Sequence, residues 1–85
     1  MKIKNIENRI VCLLDDKEVG YIDYHIEDYI VASYIFVEPD SRDTNAKNLL
    51  LDELMKLSDE KGLKIEATCS YMNHWFNKHK KEYLK

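Results

Sequence analysis

Two cysteines and three histidines are the side chains of this sequence best suited to nucleophilic or metal chemistry. Cys12 and Cys69 are too few for a disulfide framework, so we expect free thiols. His74 and His79 are five residues apart, which places them roughly 140° apart around a helix. Helical zinc pairs use spacings of about three or four residues, and no Ser-His-Asp or Cys-His-Asn arrangement is evident. The sequence therefore predicts neither a metal site nor covalent catalysis.

Residues 40–45 form a polar segment between a predicted strand and a predicted helix. Its Asp, Ser, Thr and Asn residues can cap the start of a helix. A helix N-terminus carries unpaired backbone amides and the positive end of the helix dipole, and both attract anions such as phosphate. The segment is therefore a candidate anion site, provided that a helix follows it.

Cys69 and Tyr71 come directly after the last predicted strand. Strand ends are where clefts form in parallel α/β units, so a thiol and a phenol here could face a ligand. Cys69 is also in phase with Ile65 and Ala67, which alternate toward one side of that strand. Each residue has a second interpretation, because a small Cys at a strand end and a Tyr beside a sheet are common packing residues. The sequence leaves both alternatives open.

Hydrophobic periodicity predicts the elements that position these residues. Apolar runs with period-two alternation, separated by short polar turns, predict three antiparallel strands at residues 9–14, 19–26 and 29–37, with Ile22, Tyr24 and Ile26 on one face. Ala46, Leu50, Leu54 and Leu57 lie on one helical stripe that ends at Lys61-Gly62. A fourth strand at 63–68 and a second helix at 71–83 follow. The order β-β-β-α-β-α predicts an α+β fold with a mixed, mostly antiparallel sheet of about four strands and one parallel crossover.

Length and charge limit the classes of function. The 85 residues predict one domain, 1–85, with a surface groove and no deep cleft between domains. The net charge of −3 argues against nucleic-acid binding, which needs an excess of Lys and Arg. No apolar run approaches the length of a membrane span, and residues 1–10 do not resemble a signal peptide. We therefore expect a cytoplasmic protein without nucleic-acid or membrane partners.

A set of short motifs resembles the compact, single-domain branch of the GCN5-related N-acetyltransferases, the GNAT family. The resemblance runs from Glu18 to Tyr83 without a gap and implies the GNAT fold. Its motifs are a strand that ends in Val37-Glu38-Pro39, a loop arginine at Arg42, a Leu-rich helix with Leu50-Leu51, a Cys-Ser-aromatic step at Cys69-Ser70-Tyr71 and a Lys-His pair at Lys78-His79.

The resemblance implies the identity of the site. In this family the loop amides and the following helix N-terminus hold the coenzyme A pyrophosphate. That assigns cofactor contacts to a continuous region of this sequence: Phe36, Val37, Arg42, Asp43, Thr44, Asn45, Ala46 and Lys47. It also places Cys69 near the acyl thioester and makes Tyr71 a candidate acid for the leaving thiolate, so these two are the implied catalytic residues.

The loop departs from the family pattern at its two glycines, which are Asp43 and Asn45 here. Asn and Asp tolerate the left-handed backbone region better than other non-glycine residues, so we expect the loop conformation to survive. A carboxylate about 5 Å from a pyrophosphate charge costs about 3 kcal/mol at an effective dielectric of about 20, and screening lowers this to about 1 kcal/mol. We therefore expect weakened binding of acetyl-CoA.

The function implied by the resemblance is an acetyl-CoA-dependent N-acetyltransferase with an unknown amine acceptor. Transfer in this family is direct attack of the amine on the thioester. The alternative is a catalytically inactive GNAT-like module that binds a protein partner through a sheet edge or through its basic C-terminal segment. A small nucleic-acid-binding domain is a third possibility, which the negative net charge disfavours.

Overall fold

Five strands form one sheet in which strand order follows chain order, and two α-helices complete the fold. The structure, a computed structural model, describes all 85 residues. The elements are β1 (Lys2–Ile6), β2 (Arg9–Leu14), β3 (Lys17–Ile26), β4 (Ile30–Val37), α1 (Ala46–Lys61), β5 (Ile65–Ala67) and α2 (Ser70–His79), with short 3-10 turns at Pro39–Ser41 and Lys81–Tyr83. The predicted α+β class and the mostly antiparallel sheet are confirmed.

Strand β1 was absent from the sequence prediction, which placed about four strands in the sheet. It pairs antiparallel with β2, and Ile3 is its one side chain that packs against the core. Lys2 and Lys4 are exposed, as is common on an edge strand, where charged residues discourage pairing with other chains. With so little apolar alternation, β1 has no hydrophobic signal that a periodicity argument can detect.

Tight turns connect the first three strands. Asp15 and Asp16, between β2 and β3, both have positive φ values, 53° and 65°. Two consecutive left-handed residues are what a two-residue hairpin turn requires, and Asp tolerates that region. The turn sets the pairing of Leu13 and Leu14 with Glu18 and Lys17. A one-residue register shift between Cys12 and Leu13 then gives the pairing that places Ile10, Cys12, Ile22 and Tyr24 in the core. Ile26, expected on the same face as Ile22 and Tyr24, is exposed at the turn end of the β3–β4 hairpin, although its partner Ile30 is fully buried.

The parallel crossover joins β4 to β5, as predicted, but the two strands pair over a short length. The register aligns Ile30 with Ile65 and Ala32 with Ala67, and the Thr68 amide makes the last bond, to the Ala32 carbonyl at 3.0 Å. Beyond Ala32, β4 continues for five residues with no strand on this side. The sheet therefore opens into a gap beside the second half of β4.

A β-bulge in the middle of β4 changes which residues face each side of the sheet. Tyr24 pairs with Ala32 and Asp23 pairs with Tyr34, so Ser33 is the extra residue on β4. Before the bulge, Ile30 and Ala32 point into the core; after it, Val37 does, and Ile35 packs against the core. Tyr34 and Phe36 consequently point to the opposite face of the sheet.

Both helices pack on the same face of the sheet. Leu50, Leu51 and Leu54 of α1 and Met72 and Phe76 of α2 are fully buried in one cluster with the inward-facing strand residues. Val11 and Val31, which point the other way, are outside that cluster although they are buried. The fold therefore has two layers, one of helices and one of sheet, and the second face of the sheet has no covering element.

Helix α2 is shorter than the predicted 71–83. It ends at His79, and Lys80 leaves the helical conformation with φ −145°. The chain then turns through Lys81–Tyr83 so that Leu84 lies beside Ile65, with the Lys85 amide bonded to the Ile65 carbonyl at 3.0 Å. Neither helix combines the length and apolar character needed to cross a lipid bilayer.

Candidate functional site

A groove lies where β4 runs past the end of β5, between the start of α1 and the start of α2. Its volume is about 350 Å³, and its lining residues are Ile35, Val37, Arg42, Lys47 and Tyr71. We call it the β4–α1 groove. It combines an apolar strand surface with two cationic side chains and one phenol, a composition suited to an anionic ligand with an apolar end.

The first turn of α1 presents backbone amides with no partner in the chain. The Ala46 amide donates to Thr44 Oγ1 at 3.3 Å, and the first bond of the helix runs from the Leu49 amide to the Asn45 carbonyl. Asn45 is the N-cap residue, but its side chain caps no amide. The amides of Lys47 and Asn48 are therefore free at the positive end of a 16-residue helix, which is the arrangement that binds phosphate groups.

Strand β4 contributes a second set of free amides. The Glu38 amide donates to the Val19 carbonyl at 2.8 Å, so the backbone amide of Glu38 points toward β3. Backbone groups alternate along a strand, so the amides of Ile35 and Val37 face the opposite way, into the gap left by β5. The Val37 carbonyl also points toward the gap, because it accepts a long hydrogen bond from Arg42 Nε at 3.4 Å on that side. An acyl carbonyl placed in the gap can accept a hydrogen bond from these amides.

The charged groups around the groove are of both signs. Lys47 Nζ lies over the Tyr71 ring, 5.1 Å from its centre, so the starts of α1 and α2 are adjacent. Arg42 and Lys47 are exposed, and so is Asp43 between them in the chain. Two cations therefore line the groove beside the free amides, and one carboxylate lies between them in the chain.

The structure brings together part of the predicted site. Val37, Arg42, Lys47 and Tyr71 all line the groove, and Asp43, Thr44, Asn45 and Ala46 form the loop and helix start beside it. Phe36 lies outside the groove, because the bulge turns it to the other face, where its ring is 5.6 Å from that of Tyr21. Ile35 also lines the groove, although the sequence did not predict it as a site residue. A β-bulge leaves no mark in a pattern of alternating apolar residues, so periodicity alone does not reveal it.

The two cysteines have different environments. Cys12 is fully buried, and burial raises the pKa of its thiol. Cys69 is partly buried at the N-cap of α2 and packs against the core cluster, and it is not among the residues that line the groove. Tyr71 is the exposed one of the two predicted catalytic residues, with 40% of its surface accessible.

The loop conformation differs from the expectation for its two non-glycine positions. Neither Asp43 nor Asn45 has a positive φ, and Asn45 has φ −84°. The chain thus follows a path open to any residue, helped by the Thr44 side chain, which bonds the Ser41 carbonyl. The backbone of this loop therefore does not require glycine at either position.

Two other grooves are less suited to an anion. One, of about 450 Å³, lies at the C-terminal end of α1 beside Asp59 and Glu82. The other, of about 410 Å³, lies along the outer edge of β5. The first meets the negative end of the α1 dipole. The second has Lys81 and Lys85 in its lining but lies away from the free amides at the start of α1. The β4–α1 groove is therefore the better candidate site.

Comparison with known proteins gives a consistent result. A family model described as GCN5-related N-acetyl-transferase matches residues 9–85. A GCN5-like protein from Staphylococcus aureus has 25% identity and a TM-score of 0.69, and the match covers 91% of this chain and 78% of that one. No curated protein sequence matches the chain.

Two further solved structures share the fold at lower identity. The ribosomal-protein-alanine N-acetyltransferase from Brucella melitensis biovar Abortus 2308 has 17% identity and a TM-score of 0.63, over 69% of this chain and 49% of that one. An aminoglycoside N-acetyltransferase determined in complex with CoA has 17% identity and a TM-score of 0.65, over 88% of this chain and 64% of that one. The chain thus spans about half to two thirds of the length of these larger proteins.

Proposed function

This chain belongs to the GCN5-related N-acetyltransferase family, and from that premise we propose that it binds acetyl-CoA in the β4–α1 groove and transfers the acetyl group to an amine. The observation that carries the proposal is the set of free amides on both sides of the groove. Lys47 and Asn48 at the start of α1 are placed for a pyrophosphate, and Ile35 and Val37 on β4 are placed for a thioester carbonyl.

The charged residues support this orientation. Arg42 precedes α1 and Lys47 is in its first turn, near which the phosphates would sit, and Ile35 and Val37 are apolar strand residues against which the thioester arm would lie. Asp43 opposes the phosphates by charge repulsion. We therefore propose that binding of acetyl-CoA is weaker than it would be with a neutral residue at this position.

The chemical step follows from these placements. The acceptor nitrogen, as a neutral amine, attacks the acetyl carbonyl carbon, and a β4 amide stabilises the negative charge that develops on the carbonyl oxygen. The new C–N bond forms as the C–S bond breaks. The leaving thiolate takes a proton from the Tyr71 phenol, and the acceptor nitrogen releases its proton to water. Tyr71 then regains a proton from solvent.

The location we propose is the cytoplasm. Both Cys12 and Cys69 are free thiols, and free thiols persist in the reducing compartments of the cell. This supports the proposal independently of the groove.

Titration of CoA into isotopically labelled protein tests the binding half of the proposal. We expect amide shifts at Lys47, Asn48 and Ile35. Replacing Lys47→Ala removes one cation near the phosphates and should weaken binding about fivefold, which corresponds to about 1 kcal/mol. Lys56→Ala is the matched control, because Lys56 is also an exposed lysine on α1 but lies about 13 Å further along the helix. An absence of shifts at millimolar CoA, or equal effects of the two variants, would contradict the proposal.

Release of free CoA from acetyl-CoA in the presence of a panel of amines tests the catalytic half. Tyr71→Phe keeps the ring beside Lys47 and removes the proton donor. We expect kcat to fall about 100-fold while the affinity for CoA is unchanged. If CoA binds and no amine is acetylated, the inactive binding module becomes the better description of this chain.

A further inference from the structure

The uncovered face of the sheet carries a cluster of aromatic side chains. Tyr21 on β3 lies 6.1 Å from Tyr34 and 5.6 Å from Phe36 on β4, measured between ring centres, and the rings are tilted toward one another. We call these three residues the aromatic patch. Tyr34 is 49% exposed in the middle of a strand, so its ring is available to a ligand.

This face already holds one cation of the protein itself. The Arg9 guanidinium lies 3.8 Å from the centre of the Tyr21 ring, and Arg9 Nε bonds Asp23 Oδ1 at 2.6 Å. The bond to Asp23 raises the pKa of Arg9, and the charge of Glu18 adds to the effect. The Tyr21 ring, with carboxylates nearby, thus binds a positive charge on this surface. Arg9 covers the face of the Tyr21 ring, whereas the Tyr34 ring has no cation over it.

The aromatic patch and the β4–α1 groove are on opposite sides of the same strand segment. Ile35 and Val37 line the groove, and Tyr34 and Phe36, which alternate with them, point to the uncovered face. No strand pairs with this segment on its outer side, because β5 ends at Ala67 and its last bond reaches Ala32. A molecule on the patch can therefore reach through the gap to a thioester held in the groove.

From this arrangement we propose that the aromatic patch is the acceptor-binding surface and that the acceptor is an alkyl diamine or polyamine. The inference rests on the proposed function. An ammonium held over the Tyr34 ring is charged and cannot attack a carbonyl, so a second nitrogen of the same molecule must be the nucleophile. A flexible alkyl chain between the two nitrogens would allow one to lie on the patch and the other to enter the gap, and the net charge of −3 favours a cationic acceptor.

Titration of diaminobutane into labelled protein in the presence of CoA tests the inference. We expect shifts at Tyr34 and Phe36. Tyr34→Leu removes the ring face and should weaken binding about threefold to fivefold, whereas Tyr34→Phe keeps the ring face and should change it less than about twofold. Tyr29→Leu is the control, because Tyr29 is an exposed tyrosine at the other end of β4, with Lys85 Nζ already 4.7 Å from its ring centre.

Three results would overturn the inference. The shifts could cluster away from the patch, or Tyr34→Leu could bind diaminobutane as well as the unmodified protein. The patch resonances could also depend on protein concentration without ligand, which would mean that a second copy of the chain covers this face. Any of these assigns the patch another role.

A CoA titration of the same variants separates this inference from the proposed function. Tyr34→Leu should bind CoA with unchanged affinity, because its side chain is on the face opposite the groove. If CoA fails to bind the unmodified protein while diaminobutane still shifts the patch, the acetyltransferase proposal fails and the amine site stands. If CoA binds in the groove and diaminobutane does not bind at the patch, the amine site fails alone.

Discussion

Replacing Asp43 by asparagine should tighten the binding of CoA. Asp43 precedes α1 by three residues and is exposed beside Arg42. The phosphates are expected at the free amides of Lys47 and Asn48, so the carboxylate opposes the charge that those amides attract. Asn has nearly the same shape as Asp and removes the charge alone. Because the loop has no positive φ at this position, the change does not disturb the backbone.

The expected magnitude follows from Coulomb's law. At about 5 Å and an effective dielectric of about 20, the repulsion is about 3 kcal/mol, and solvent and salt reduce it to about 1 kcal/mol at an exposed site. That corresponds to about fivefold tighter binding at low ionic strength. At about 1 M salt the Debye length falls to about 3 Å, so the difference between Asp43→Asn and the unmodified protein should nearly disappear.

Calorimetric titration with CoA at low and high salt measures both effects. Asp52→Asn is the matched control, because it removes the same charge from an exposed position about 7 Å further along α1 than Lys47 and should change the Kd less than about twofold. Asn45→Gly should give no gain, since Asn45 already has φ −84° and needs no glycine. Equal Kd values for Asp43→Asn and the unmodified protein at low salt would refute the placement of the phosphates at the start of α1.

Three further predictions concern other parts of the fold. Cys69, which is partly buried and lies outside the groove, should react with iodoacetamide in the native state, whereas Cys12, which is buried and has a raised pKa, should react only on unfolding. Mass spectrometry of the two peptides distinguishes them, and equal protection would show that Cys69 is as inaccessible as Cys12. The pKa of Tyr83 is raised above its ordinary 10.0 because its phenol donates to Asp59, so this contribution to stability is present below pH 10 and is lost as pH rises above it. Tyr83→Phe should flatten the alkaline limb of a stability curve measured by urea unfolding, and an unchanged limb would exclude this bond as its cause. Gly20→Ala should destabilise the fold by about 1–3 kcal/mol in the same assay, because the added Cβ would lie 2.8 Å from a carbonyl oxygen of β4, and a neutral result would mean that β4 can move away.

The sequence was sufficient for the fold class because most elements have a strong periodic signal. The Leu-rich stripe of α1 and Ile22 and Tyr24 of β3 are buried as predicted, and the Gly62 stop is observed with φ 64°. The parallel crossover followed from the element order alone. The groove was partly predictable for the same reason, because Arg42 and Lys47 flank the junction between a strand and a helix, wherever the exact boundary falls.

The remaining features depend on tertiary contacts that periodicity does not record. Strand β1 is held by its backbone pairing with β2, which any residue can make, so its polar sequence gave no signal. The end of α2 at His79 depends on Leu84 reaching the edge of β5, a contact between residues far apart in sequence. Which amides face the gap depends on the bulge at Ser33, and no residue type marks it.

Because of that bulge, the side-chain alternation of β4 changes phase at Ser33. Up to Ala32 the even-numbered side chains enter the core, and from Ile35 onward the odd-numbered ones do. Deleting Ser33 would give one regular alternation and leave Tyr34 and Phe36 on the open face, whereas pairing Ser33 as an ordinary strand residue would send Tyr34 and Phe36 toward the helices and exchange the lining of the groove with the aromatic patch. A one-residue error in aligning this strand with a related sequence would likewise exchange the residues of the groove with those of the aromatic patch. The parts of β4 before and after Ser33 should therefore be aligned separately.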